Sequence, residues 1–174
     1  MTRPVTFFNY FGGPLDLKFT GVRHGPAPLH RVFTISDRSI PALAEYSISS
    51  IPLIYGMQYS GCQLTYRLPR GSICNITKFK PRRSSKGWPY DHYPNLLPYI
   101  PMHISKRTRC SPKQFAKLAW QGLDIKPEML VAIVPPLPIG GVSIWGPIGD
   151  VEGVQIIFEC DLKTRTVRAS NQCS

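Results

Sequence analysis

A chain of 174 residues that is 43% hydrophobic and 18% charged can bury about 70% of the surface its unfolded form exposes, and it is too apolar and too weakly charged to stay disordered. Its formal charge of +11 is held unevenly: ten of the 21 Lys and Arg residues fall between Lys78 and Lys117, where Asp91 is the sole acid. No apolar stretch reaches the roughly 18 residues a membrane helix needs, and Met1 to Tyr10 lacks the apolar core of a secretory signal, so the expectation is one cytoplasmic globular domain spanning residues 1–174 with no integral membrane association.

The predicted elements of the first half are short strands. Val5 to Phe8 is rich in β formers and stops at Gly12-Gly13-Pro14; Leu15 to Phe19 alternates; Arg31 to Ser36 is β-branched and aromatic. Ile51 to Tyr55, Gln63 to Leu68 after the Ser60-Gly61 turn signal, and Ile73 to Phe79 after Arg70-Gly71 continue the series. In Gln63 to Leu68, Leu64, Tyr66 and Leu68 share one face while Gln63, Thr65 and Arg67 share the other, the period-2 pattern of a sheet with one wet side. Such runs are too short for globular helices.

One helix is signalled, near 111–122. Ser111 suits the cap, Pro112 the first helical position and Gln114 the capping box, Phe115, Leu118 and Ala119 make an apolar stripe, and Gly122 is placed to terminate. The chain then returns to sheet. Met129 to Val134 is a continuous apolar run ending at Pro135-Pro136-Leu137-Pro138, a rigid connector, and Gly153 to Cys160 followed by Thr164 to Ser170 reads as a hairpin with Val154, Ile156, Phe158 and Cys160 pointing inward. The fold class expected is α+β: a mainly antiparallel β-sheet, sandwich or half-barrel like, with one helix and long loops rich in Pro and aromatic residues near 82–94 and 135–149.

Motifs for chemistry are sparse. There is no G-x-S-x-G nucleophile elbow and no phosphate-cradling G-x-x-x-x-G-K-[ST]. Cys62, Cys74, Cys110, Cys160 and Cys173 are odd in number and contain no C-x-x-C pair, so five free thiols in a reducing compartment are expected, with Cys173 the most accessible. His92, His103 and Cys110 match no zinc spacing, and His24 and His30, flanking Gly25-Pro26-Ala27-Pro28, read as loop residues. Glu159 and Asp161 share a strand face with Arg165 and Arg168 across the turn, which favours ion pairing over paired-carboxylate catalysis, and Asp150 and Glu152 read as a turn. No cofactor and no metal are called for, and the chain leans toward a non-catalytic role.

What remains is the basic segment. Lys78, Lys80, Arg82, Arg83 and Lys86 form its first part; Lys106, Arg107, Arg109, Lys113 and Lys117 form its second. Between them lie Trp88, Tyr90, Tyr93 and Tyr99, punctuated by prolines. Cations with aromatic anchors suit an acidic protein surface, which makes a binding protein, in concrete form an immunity-type or inhibitory partner of a toxin or effector, the first expectation. The same residues could neutralise phosphates and stack on bases, so single-stranded or backbone-directed nucleic-acid binding is the second, and a hydrolase with an unrecognised site the third. Against any of these stands a bland alternative, in which the aromatic stretch is a strap packed over the sheet and the cations are merely solvated.

Overall fold

The computed structural model describes residues 9–82, 93–104, 106, 111–126, 128–135, 139, 144–145 and 154–173. The strand expected at Val5 to Phe8 and most of the two Pro-aromatic stretches lie outside those residues. The architecture is mostly β, with two sheets. A four-stranded antiparallel sheet has the order β4 (Ser50–Tyr55), β3 (His30–Ser36), β1 (Asn9–Phe11), β7 (Ile100–Met102). A six-stranded sheet has the order β2 (Lys18–Gly21), β6 (Ile73–Pro81), β5 (Cys62–Arg67), β10 (Thr166–Cys173), β9 (Val154–Asp161), β8 (Met129–Val134). All of its pairs are antiparallel except β2 with β6.

The expected alternation places the six-stranded sheet. Leu64 and Tyr66 of β5, Val167 and Ala169 of β10, and Ile156, Phe158 and Cys160 of β9 are buried, and they form one continuous core with Phe11, Val32, Ile51, Leu53 and Tyr55 of the other sheet. Burying each such side chain contributes about 1.5–3 kcal/mol, so this row dominates the stability. Two tyrosines stitch the layers. The Tyr66 hydroxyl donates to the Pro52 carbonyl (2.6 Å) and accepts from the Ile54 amide (3.0 Å), satisfying the backbone of β4, an edge strand whose Pro52 has no N–H to offer. The Tyr55 hydroxyl accepts from the Cys62 amide (2.9 Å).

Two helices are short. The helix α1 (Ala42–Glu45) is absent from the sequence expectation, because four residues are too few for a periodic pattern. It ends in a Schellman motif: the Ile48 amide donates to the Leu43 carbonyl (3.0 Å) and the Ser47 amide to that of Ala44 (2.9 Å), with Ser47 at φ 53°. The helix α2 (Pro112–Ala116) begins at Ser111 with both halves of the capping box, the Ser111 Oγ accepting from the Gln114 amide (3.2 Å) and the Gln114 Oε1 from the Ser111 amide (2.9 Å). It is five residues long rather than the expected span to 122; the chain continues in turns to Gly122, at φ +70°. No helix among the described residues is long and apolar enough to cross a membrane.

The strand β7 was also not expected, since its three residues include Pro101 and follow Pro98. It is positioned from the other side, by β1 and the Gly12-Gly13 turn. Gly12 donates to the Val32 carbonyl (3.0 Å) and Gly13 to that of Leu97 (2.9 Å), and a Cβ on Gly12 would collide with the Pro98 carbonyl. Glycine is required there by close approach and by φ +64° together.

Candidate docking face

The outer side of the six-stranded sheet collects charge by register. A bulge between Thr65 and Tyr66 leaves Thr77 unmatched, so Lys78 sits opposite Thr65 and Lys80 opposite Gln63, both side chains facing away from the core. Thr65 is paired on its other side with Arg168, which is paired with Glu159, which is paired with Val131. One row therefore reads Lys78, Thr65, Arg168, Glu159, Val131 across five strands, with neighbours about 4.8 Å apart. The adjacent row carries Arg67, Thr166, Asp161 and Met129. Lys78, Lys80, Arg67 and Arg168 are exposed.

These rows open into a groove of about 540 Å³, where Arg67, Lys126 and Arg168 meet Asp124, Glu128, Glu159 and Asp161. Asp161 is the best-defined carboxylate. It accepts from the Thr164 amide (2.8 Å), which with the nearby Arg168 charge holds its carboxyl below the usual aspartate value. The face thus grades from basic on β6, through mixed charge on β10 and β9, to apolar on β8.

The turns that follow α2 lie against the same outer side. Gln155 and Gln172 are register partners on β9 and β10, and both are buried although they point away from the core. Their amides clamp the chain above: Gln155 Nε2 donates to the Leu118 carbonyl (3.1 Å) and its Oε1 accepts from the Trp120 amide (3.3 Å), while Gln172 Oε1 accepts from the Gln121 amide (3.1 Å). The contact is made at the end of the sheet where Arg82 donates its amide to Gly61, next to Asn171. Lys117, exposed, immediately precedes the clamped residues, and Lys113, also exposed, lies one turn earlier on α2.

The segment packs through Ala119, which is buried, and not through Leu118, which is 58% exposed. Trp120 is 41% exposed beside it. Leu118 was expected to pack inward as part of the helix's apolar stripe and does not, because a five-residue helix does not keep its stripe facing inward once the chain unwinds into turns.

Other expected positions fall elsewhere. Tyr93 is buried, donates from its hydroxyl to the Ile144 carbonyl (2.9 Å) and meets His30 edge-on, so it belongs to the packed strap and not to a docking surface. Tyr99 is half exposed and its ring lies tilted against that of Tyr10, centroids 5.0 Å apart. Lys106 is exposed beyond β7, in the other sheet. Arg83, Lys86, Trp88, Tyr90, Arg107 and Arg109, with His92, Cys110, Asp150 and Glu152, lie outside the described residues. Among the described residues Arg165 makes no cross-strand ion pair; its Nη2 donates to the carbonyls of Tyr46 (3.0 Å) and Ser47 (2.9 Å), tying the β9–β10 turn to α1. His30 is the first residue of β3 and is buried, not in a loop.

Among the described residues no group of three or more His, Cys, Asp or Glu side chains could hold a metal. Burial pushes the thiols of Cys62 and Cys74 up to about 11 and that of Cys160 to about 12, which removes them as nucleophiles at neutral pH. No family model, curated protein or solved structure matches the chain.

Proposed function

We propose that this is a non-catalytic binding protein whose six-stranded sheet docks its outer face, with α2 at one end, onto a protein surface rich in carboxylates. The observation that supports the reading is the row Lys78, Thr65, Arg168, Glu159, Val131, which sets two cations two strands apart and one carboxylate directly beside the second. Cations held at strand spacing on a β framework meet a partner with little further ordering, and complementary charge raises the rate of encounter. Trp120 and Leu118 supply exposed apolar contacts of the kind that anchor an interface. An inhibitory, immunity-type role toward an effector protein is the concrete form of this function.

A protein partner is preferred to nucleic acid because of the acids. Glu159 and Asp161 stand one strand from Arg168 and Thr166, and a phosphate backbone laid along the basic rows would face them. A protein partner can answer both signs.

The test is affinity capture by the wild type, by the triple reversal Lys78→Glu, Lys80→Glu, Arg168→Glu, and by Arg38→Glu in the turn after β3, beside anisotropy with a labelled single-stranded oligonucleotide. The expected result is one protein retained stoichiometrically by wild type and Arg38→Glu and lost by the triple variant, with no saturable oligonucleotide binding at low salt. A protein retained equally by the triple variant would remove this face from the function. Oligonucleotide binding that weakens by about 0.7 log units per log unit of salt for each phosphate contacted would transfer the function to nucleic acid.

A further inference from the structure

Among the described residues the two sheets have four edges, of which three are blunted and one is not. On the four-stranded sheet, β7 is three residues long with Pro101 at its centre, and β4 carries Pro52 and has its Pro52 carbonyl and Ile54 amide closed by Tyr66. On the six-stranded sheet, β2 is four residues long, begins at the exposed Lys18 and stops at Gly21. Short length, proline and lysine are the means by which natural sheets keep an edge from pairing. The remaining edge, β8, reads Met-Leu-Val-Ala-Ile-Val over Met129–Val134, with no charge, no proline and no bulge against β9.

The backbone of β8 is open in a defined pattern. The Leu162 amide donates to the Glu128 carbonyl (3.3 Å), one step beyond the Met129 and Asp161 pair, and bonded pairs recur at every second residue of an antiparallel ladder. Leu130, Ala132 and Val134 therefore direct their N–H and C=O groups to β9, while Met129, Val131 and Ile133 turn theirs to the free side. The Met129 amide is taken up by the Lys126 carbonyl (3.0 Å), but among the described residues nothing bonds to the amides of Val131 and Ile133. The side chains are open as well. Leu130 and Ala132 point to the core but are only half-buried, whereas Ile156, Phe158 and Cys160 beside them on β9 are at most 1% exposed. Among the described residues the apolar layer thus ends at β8 without a cover.

We propose that β8 is the seam of a homodimer, in which a second copy of this chain lays its own β8 antiparallel across a two-fold axis at Val131. In that register Val131 meets Val131 of the second copy, and Met129 meets Ile133. The free donors of each strand, Val131 and Ile133, find the carbonyls of Val131 and Met129 opposite, and the Met129 amide, already bonded, needs no partner. On the core side Leu130 stands across from Ala132, large against small, so the apolar layer continues from one copy into the next. Charge placement selects a second copy as the occupant. The row from Lys78 to Val131 runs on through the axis, and at about 4.8 Å per strand the two Glu159 residues stand about 14 Å apart and the two Arg168 residues about 24 Å, beyond the roughly 10 Å screening length. The cations of that row are thus held away from the seam, and the seam itself is uncharged. Each copy spends its one unblunted edge, so assembly closes at two. Lys78, Lys80 and Arg168 stay free on the outer face, and the pairing does not depend on what that face docks.

Sedimentation of the full chain over about 2 to 200 μM, with amide hydrogen exchange read residue by residue, tests the pairing. Two variants supply the monomer. Val131→Lys sets two ammonium groups against each other at the axis, and Ile133→Pro removes an edge donor without taking a bond from the β9 ladder. The expected result is a wild-type species of twice the chain mass and two folded variants of single mass. Within the dimer, Val131 should exchange about tenfold or more slowly than it does in Ile133→Pro, and Ile133 likewise against Val131→Lys, while Leu130 and Ala132, bonded to β9, stay protected in all three. A wild type that is monomeric throughout the range, a dimer in which Val131 and Ile133 exchange freely, or a dimer that survives both substitutions would each overturn the proposal. So would slow exchange of those two amides in a monomeric wild type, which would give the edge to another segment of the same chain.

Discussion

The hydroxyl of Tyr66 is a single polar atom in an apolar layer, and it closes two backbone groups at once. Deleting it leaves the Ile54 N–H and the Pro52 carbonyl buried without partners, because β4 is an edge and has no strand beyond it. Tyr66→Phe is therefore expected to lower unfolding stability by about 1–3 kcal/mol, despite gaining apolarity; an unchanged urea midpoint would mean that the edge is closed by something else. His30 makes a second residue-scale prediction. Its folded pKa is lowered by desolvation, so the unfolded chain takes up a proton more readily, and the stability present above the ordinary histidine value near 6.5 is lost as pH falls through that value toward the folded one. The melting temperature should fall between about pH 7.5 and 5.5 in the wild type and less so in His30→Gln, whose amide can still donate to Pro94. Parallel curves for the two proteins would assign the slope to other groups.

At the scale of elements, the Gln155–Gln172 pair acts as a short surrogate strand. It offers amide groups to a stretch of chain that has no ladder of its own, and so holds the turns that follow α2 against the sheet. Replacing both by leucine removes hydrogen bonds worth about 1 kcal/mol each while preserving the strands' apolar faces. The expected outcome is local: trypsin cleaves at Lys113 and Lys117 at least tenfold faster, with little change in global melting. A large fall in melting temperature with no change in cleavage would mean that the glutamines support the core and not the segment. None of this was legible in the sequence, because a glutamine on the wet side of a strand looks solvated until something is known to lie over it. The strands themselves were legible wherever apolar residues alternate over six or more positions, as in β5 and β9. The helix start at Ser111 was legible because a capping box is local. Non-local facts were not: Lys78 and Lys80 could be seen to share a face, but only the pairing of β5 with β10 brings Arg168 to them, and only tertiary packing turns Tyr93 inward. The helix α1 escaped because its C-terminal turn uses Ser47 at positive φ where glycine would have announced it.

Across the whole molecule, the placement of charge works against stability. A net +11 spread evenly would serve solubility at small cost, whereas Lys78, Lys80, Arg67 and Arg168 are gathered on one sheet face. Lys78 and Lys80 are two residues apart on one strand and Arg67 lies diagonal to Arg168 on the next, both within the roughly 10 Å screening length at 0.1 M salt, so each raises the free energy of its neighbour. Glu159 and Asp161 offset part of that repulsion on the β9 side and none of it directly on the β6 side, where the row ends at Lys78. Salt should relieve the remainder. Raising NaCl from about 20 to 200 mM is expected to stabilise the protein by about 1 kcal/mol, seen as a rise in melting temperature of about 2–4 °C for a chain of this size. Lys78→Glu with Lys80→Glu should shrink the rise by making opposite-sign neighbours on the same face. A melting temperature that falls with salt in the wild type would show that ion pairing already outweighs repulsion there, and would take from the face the unmet positive charge on which a carboxylate-rich partner depends.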